Sequence, residues 1–395
     1  MCAVPWKESR VTEERLKFVL ACQRDEETVI ALCEAFGISR QTGYKWLARY
    51  QGEGLDGLRD RSRAPHHHPN QTPAAIAADV VAFKIAHDRW GPRKVHQRLR
   101  EQRPRVRWPA ASTMGDILHQ HGLVAHRRRR RHTPPHTQPF AGCVAPNDVW
   151  CADFKGWFRT GDGRRCDPFT LTDAATRFLL RCQVVPRPDH RWVRAVIHAA
   201  FREYGLPRAI RTDNGPPFAS VGLGGLSRLA IEWIKLGIVP ERIAPGSPQQ
   251  NARHERFHRT LNENTASPPQ GDARRQQQAF DRFRPEYNYE RPHEALGQKP
   301  PGVFYQRSSR PCPRHVPSIH YPETCLVRKV QRCGTIRWRG CKIHLSKPLI
   351  GEWVGLTEQE DDLWNICFGP VLLLTWDAKR RRRVRPRKER TPTPD

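Results

Sequence analysis

The stretch "GSPQQNARHERFHRTLNEN", residues 246–264, carries the devices that start a helix. Ser247 serves as N-cap, Pro248 follows in the first turn, and Gln250, three residues after the cap, completes a capping box. At helical spacing Asn251, Glu255, Arg259 and Asn262 form one stripe, while Phe257 and Leu261 point to the opposite side. Glu255 thus faces away from the helix's own core contact and is free to face a site.

The segments before this helix supply two more acids. "DVWCADFKGWF" (148–158) and "FTLTDAATRFLLRCQVV" (169–185) are β-rich, the second broken by a turn at Ala174 to Thr176, which predicts an antiparallel meander of three strands with Asp153 in the middle of the first. An amphipathic helix runs from Asp189 to Tyr204 and ends at Gly205. "LPRAIRTD" (206–213) then forms a fourth strand ending at Asp213, against an Asn214–Gly215 turn. A helix around 226–237 and a strand at 238–243 complete an alternating α/β order.

Each acid has a bland alternative. Asp153 can be a solvated strand residue, Asp213 a turn former, and Glu255 a surface partner of Arg256 or Arg259. Asp148, Asp162, Asp167 and Asp173 compete for the first position; Asp162 and Asp167 suit turns, and Asp173, near a strand end, is the substitute to test first.

The composition points to a polyanionic partner. With 68 Lys+Arg against 40 Asp+Glu the net charge is +28, which favours nucleic acid. No stretch approaches the ~18 apolar residues of a membrane span, and the amino terminus lacks a signal-peptide core, so a cytoplasmic, nucleoid-associated protein is expected. The twelve cysteines contain no C-x-x-C pair, and Cys22, Cys33, Cys151, Cys182 and Cys367 lie in apolar segments as reduced, hydrophobic thiols. His66 to His68 fall in a Pro-rich linker.

"TVIALCEAFGISRQTGYKWLARYQ" (28–51) has helix-turn-helix spacing: a helix closed by Gly37, then Ser39 capping a second helix. Arg40, Gln41, Thr42, Tyr44 and Lys45 at that helix's start are candidates to contact base edges or phosphates, with Trp46, Leu47 and Tyr50 as anchors. A second unit follows, in which Ser112 caps a further candidate recognition helix. Arg127, Arg128 and Arg129 open an arginine run suited to phosphate. The expected divisions are a helix-turn-helix domain (1–60), linker (61–72), second helix-turn-helix-like domain (73–125), basic linker (126–145), α/β core (146–300), linker (301–319), small β-barrel (320–378), and disordered basic tail (379–395). Trp338, Arg339 and Lys342 in the barrel are either DNA contacts or barrel core and surface.

Asp153 in a first strand, Asp213 in "TDNGPPF", Glu255 in "SPQQNARHERFHRTL" and the later "YNYERPHEALGQKPP" (287–301) together resemble the DDE integrase-core transposases of bacterial insertion sequences, relatives of retroviral integrases. The resemblance implies a ribonuclease-H-like α/β core with a mixed five-stranded sheet, and makes Asp153, Asp213 and Glu255 the catalytic, metal-binding triad. It implies two Mg²⁺ ions, with Mn²⁺ as a substitute, roughly 3.5 to 4 Å apart. Three converging carboxylates repel one another without such cations. Arg256 and Arg259, flanking Glu255, are read as phosphate contacts, with ordinary solvated helix charges as the alternative. The implied activity is cleavage at terminal inverted repeats and transfer of the released 3′ hydroxyls into target duplex DNA, by a homo-oligomer that brings two ends together. The alternatives are a transposase-derived DNA-binding regulator without catalysis and a stand-alone ribonuclease-H-like nuclease. Three features depart from the family pattern: Ala252 replaces a common Gly, Pro285 interrupts a helical stretch, and 41 residues separate Asp213 from Glu255, with "SVGLGGLS" (220–227) as the loop that holds the excess.

Overall fold

The computed structural model describes residues 11–62, 71–124, 142–220, 222–243, 252–360 and 362–384, for Ala252 the backbone alone. The chain divides into two compact units, at Thr72 and Pro73.

In the first unit α1 (Val11–Gln23), α2 (Val29–Ala35) and α3 (Arg40–Glu53) close around Phe18, Val19, Leu32, Cys33 and Trp46. The turn between α2 and α3 follows the expected chemistry: Gly37 takes φ +62°, and Ser39 Oγ accepts the Thr42 N–H at 3.2 Å. Gly43 lets α3 lie close to its neighbours, since a Cβ there would collide with Cys33 Sγ and stand 2.9 Å from Phe18 Cζ.

The second unit opens with α4 (Ala74–Ala86), α5 (Pro92–Gln102) and α6 (Ala111–Gln120), packed around Val80, Trp90, Val95, Leu99, Met114 and Leu118. Ser112 lies inside α6, whose cap position is Ala110 with no side-chain bond, so the expected Ser112 cap is corrected.

The core sheet contains β1 (Val149–Phe154), β2 (Phe158–Arg159), β3 (Arg165–Asp173), β4 (Leu179–Val185), β5 (Ala209–Thr212) and β6 (Val239–Arg242). Its order is β4-β3-β1-β5-β6, with β1, β3 and β4 antiparallel and β5 and β6 parallel to β1. The two-residue β2 pairs with the start of β3, a short addition to the five strands expected. Asp167 lies within β3 and not in a turn.

Strand alternation divides the sheet's side chains between two layers of helices. Trp150, Ala152, Phe169 and Leu171 pack against α7 (His190–Tyr204) and α8 (Arg228–Lys235) through Val193, Ile197, Leu229 and Trp233. On the opposite side Leu179 and Cys182 meet Phe257, Leu261, Phe280 and Phe283 of α9 (Ala252–Thr265) and α10 (Ala273–Pro285). The chain stays helical through Pro285 (φ −65°, ψ −40°) and widens into a π turn at Glu286–Glu290, closed by Arg291 N–H on Glu286 O at 2.8 Å.

The carboxyl-terminal region has β7 (Leu326–Lys329), β8 (Thr335–Trp338), β9 (Cys341–His344), β10 (Trp353–Glu360), β11 (Leu363–Phe368), β12 (Val371–Asp377) and β13 (Arg382–Val384). They make an antiparallel sheet ordered β13-β12-β11-β10-β7 and a separate β8–β9 hairpin, so the expected closed barrel is replaced by open sheets. Closure is not needed to bury this sheet, because Ala230, Ile231 and Ile234 of α8 pack into the same core as Ile336, Leu356 and Ile366. Trp338 is buried with its ring 4.6 Å from Trp364, a core residue and not a DNA contact. Strand β13 falls where the disordered tail was expected to begin; residues 385–395 lie outside the described residues. The supposed linker after 300 is strapped to the core: Tyr305 stacks on Phe178 at 4.2 Å, and Arg310 donates to Pro207 O and Leu236 O at 2.8 Å each. Among the described residues no helix is long and apolar enough to cross a membrane.

Candidate active site

The parallel register of β1 and β5 sets Trp150 against Ile210 and Cys151 against Arg211. The pairing ends at Cys151 and Arg211; Asp153 follows two residues later within β1, and Asp213 two residues later, just past the end of β5 at Thr212. Both acids thus stand at the carboxyl end of neighbouring parallel strands.

Asp153 is half-buried, and its Oδ1 accepts the Phe154 N–H at 2.8 Å. Asp213 is also half-buried; burial pushes its carboxyl up from the usual range, partly offset by the Gly215 N–H, which donates to Oδ1 at 3.2 Å. Asn214 Nδ2 donates to Ile243 O at 2.8 Å and ties the turn to the chain after β6. A Cβ at Gly215 would stand 3.1 Å from Asp213 Oδ2, so glycine keeps the approach to this carboxylate open.

Glu255 is exposed in the first described turn of α9, as are Arg256 and Arg259, while Phe257 and Leu261 are buried. This is the two-sided helix expected from the sequence. Its proposed cap, Ser247 to Asn251, lies outside the described residues.

Beside Glu255 the structure holds a cluster whose role the sequence reading missed. Asp153, His254 and His258 bring ligand atoms within 4.8 Å of one another, the one such group of three or more His, Cys, Asp or Glu among the described residues, and Asp213 and Glu255 are not part of it. Both imidazoles converge on Thr170, the cross-strand partner of Asp153: His254 Nε2 is 2.7 Å and His258 Nε2 2.8 Å from Thr170 Oγ1. That hydroxyl donates to Asp153 O at 3.1 Å, which spends its single proton and makes both Nε2 atoms donors. Burial holds both imidazoles neutral, pushing His254 down to about 3 and His258 to about 2, the latter also disfavoured as a cation by neighbouring His254 and Lys155. A carboxylate with two imidazoles suits a borderline ion such as zinc, but both Nε2 atoms are committed to the sheet, so the cluster first fastens α9 to β3. The available signal was the i, i+4 spacing of His254 and His258, which shares one helix face.

The rival acids have local employment. Asp173, 1% exposed, accepts Asn147 N–H at 2.7 Å, Thr176 N–H at 2.8 Å and Thr176 Oγ1 at 2.6 Å. Asp148 accepts the N–H groups of Val144 and Ala145, Asp162 the Thr160 hydroxyl and Arg164 N–H, and Asp167 a two-pronged bond from Arg165.

In α3, Arg40, Gln41, Tyr44 and Lys45 are exposed along the start of the helix. Thr42 is half-buried and its hydroxyl is 2.9 Å from Ser39 Oγ, so it serves the cap. Arg127, Arg128 and Arg129 lie outside the described residues.

Family models match this chain as a helix-turn-helix domain (14–66), a homeodomain-like domain (42–118) and an integrase core domain in two parts, 144–248 and 236–301. The insertion element IS476 39.2 kDa protein of Xanthomonas euvesicatoria is 30% identical over 295 residues, 72% of this chain and 78% of that protein. The chain belongs to the insertion-sequence transposases of the DDE integrase-core superfamily. A second member, the insertion element IS407 31.7 kDa protein of Burkholderia multivorans, is 27% identical over 60% of this chain and 82% of its own length. Among solved structures, the catalytic core domain of BIV integrase aligns with 40% of this chain and 93% of its own, at 21% identity and a TM-score of 0.32. In family terms, residues 144–301 are the integrase core, and the acids at 153, 213 and 255 fall inside it.

Proposed function

We propose that this chain is an active transposase, which binds the terminal inverted repeats of its element as double-stranded DNA and cuts and rejoins DNA with divalent cations held by Asp153, Asp213 and Glu255. The observation that supports the reading is the parallel β1–β5 pairing, since Asp153 and Asp213 lie near the carboxyl ends of these two neighbouring strands. Carboxylate oxygens are the donors that Mg²⁺ and Mn²⁺ prefer, and a half-buried Asp213 is costly to keep ionised unless a cation joins it. When bound, two such ions supply activation of the attacking oxygen and stabilisation of the departing 3′ oxygen.

The chain's own residues do the positioning. The Phe154 and Gly215 N–H groups orient the two aspartates. The Thr170–His254–His258 knot holds α9, and so Glu255, against the strand beside Asp153. Arg256 and Arg259, exposed on the same helix, contact backbone phosphates. Arg40, Gln41, Tyr44 and Lys45 read the element end in the major groove, and the arginine run from Arg127 adds sequence-independent affinity. Bringing two ends together requires a homo-oligomer on DNA.

The test is an assay of the purified full chain with Mg²⁺ and a duplex carrying the element end. Nicking at the end and joining to a second duplex are expected, with Asp153→Asn abolishing both and preserving binding. Bound protein that neither nicks nor joins makes this a DNA-binding regulator, and cleavage of RNA/DNA hybrids without end preference makes it a nuclease.

A further inference from the structure

The segment "YNYERPHEALGQKPP" closes the core, and with α5, α9 and the β3–β4 turn it encloses a cavity of about 190 Å³. Five basic side chains line it: Lys94 from α5, Arg177 from the turn, Arg253 and Arg256 from α9, and Arg291. Its two carboxylates are engaged elsewhere, Asp173 by Asn147 and Thr176 and Glu294 by Arg93 at 2.8 Å. Arg291 is 6% exposed, and its Nη1 has no hydrogen-bond partner among the described residues; the neighbouring His293 Nε2 has none either. Glu286 and Glu263 act on the Arg291 charge, but neither lines the cavity.

A buried guanidinium nitrogen without an acceptor is expensive, and adding like charges around it raises the cost. Burial and then the Arg291 charge push Lys94 down to about 8, with Glu294 offsetting part of the shift. What relieves such a site is a small polyanion offering several acceptor oxygens to planar donors.

We propose that this cavity binds one phosphate group, held by Arg291 with Lys94, Arg177 and Arg256. Two sources share that chemistry: a backbone phosphate of DNA drawn against the core, which rests on the function proposed above, and free inorganic phosphate, which does not. The site joins the first helical module of this unit to the core helix that carries Glu255, so its occupancy fixes α5 against α9.

The test is thermal unfolding of the full chain at constant ionic strength while inorganic phosphate replaces chloride. The wild type and the surface control Arg274→Gln gain Tm with phosphate. Arg291→Met gains nothing from phosphate; should that variant not fold, Lys94→Gln loses the gain in its place. A wild-type Tm that phosphate does not move, or an equal gain in the variants, overturns the proposal. The source is read from the salt dependence of DNA binding. A slope of log K against log salt lower by about one in the variant assigns the site to a DNA phosphate, and an unchanged slope with the phosphate gain intact assigns it to the free anion. Metal-dependent cleavage is scored separately, so a wild type that cleaves element-end DNA but gains no Tm from phosphate refutes this site alone.

Discussion

Thr170→Val removes one oxygen and leaves the side-chain shape, and the structure says what that oxygen holds. It sits 2.7 Å from His254 Nε2 and 2.8 Å from His258 Nε2, with His254 only 3% exposed. After the substitution two imidazole N–H groups lose their acceptor. A buried orphan costs about 1–3 kcal/mol; the half-buried His258 can turn to water, so the pair costs about 2–4 kcal/mol. Because α9 is fastened to β3 by these bonds, the loss falls on that helix. Hydrogen exchange of the residue 252–265 amides should then rise by roughly 30- to 700-fold, at a factor of ten per 1.4 kcal/mol. Adding His258→Leu to Thr170→Val removes one orphan and should recover part of the loss, a coupling of about 0.5–3 kcal/mol. Exchange in the single variant within twofold of wild type, or no coupling in the double variant, would refute the assignment of these histidines as the fastening of α9.

Further expectations follow from other contacts. Gly43→Ala forces a methyl into Cys33 Sγ and Phe18 Cζ, so the first unit should lose about 1–3 kcal/mol and element-end affinity in a binding assay. Burial alone would raise the Glu232 carboxyl, but hydrogen bonds from His198 and Arg194 outweigh it and hold the group at about 2, against 4.5 in the unfolded chain. A depressed acid contributes stability that is full above about 4.5 and is lost as pH falls toward 2. Urea unfolding across that window should therefore show a pH slope that Glu232→Gln flattens; an unchanged slope rejects it.

Much of the core was legible because local chemistry and period agreed. The Ser39 cap, the Gly37 turn, the three-strand meander and the two-sided α9 are each written in a few adjacent residues. The β1–β5 pairing needed the fold, since nothing near Asp153 announces that the strand leading to Asp213 lies beside it. Cross-strand partners explain most of what was missed. Thr170 and Thr172 look like ordinary strand residues until α9 lays His254 over both, at 2.7 and 3.3 Å. Asp173 looked like a substitute ligand because its partner Asn147, 26 residues earlier, becomes a neighbour only in the fold, although its bonds to Thr176 are local to the turn. Alternation in the carboxyl-terminal strands predicts a half-buried sheet but carries no information on closure, and α8 supplied the cover that a barrel would have provided. Likewise the Pro- and Arg-rich composition after 305 suggested a linker, while the Arg310 guanidinium found the backbone carbonyls of Pro207, ahead of β5, and Leu236, after α8.

The most direct measurement is anomalous diffraction from the protein loaded with Mn²⁺ on a duplex end. The account predicts manganese with Asp153, Asp213 and Glu255 oxygens at about 2.1 Å, His254 and His258 still on Thr170, and no peak in Asp213→Asn. A manganese ion held by Asp153 with the two imidazoles, and none at Asp213 or Glu255, would contradict it.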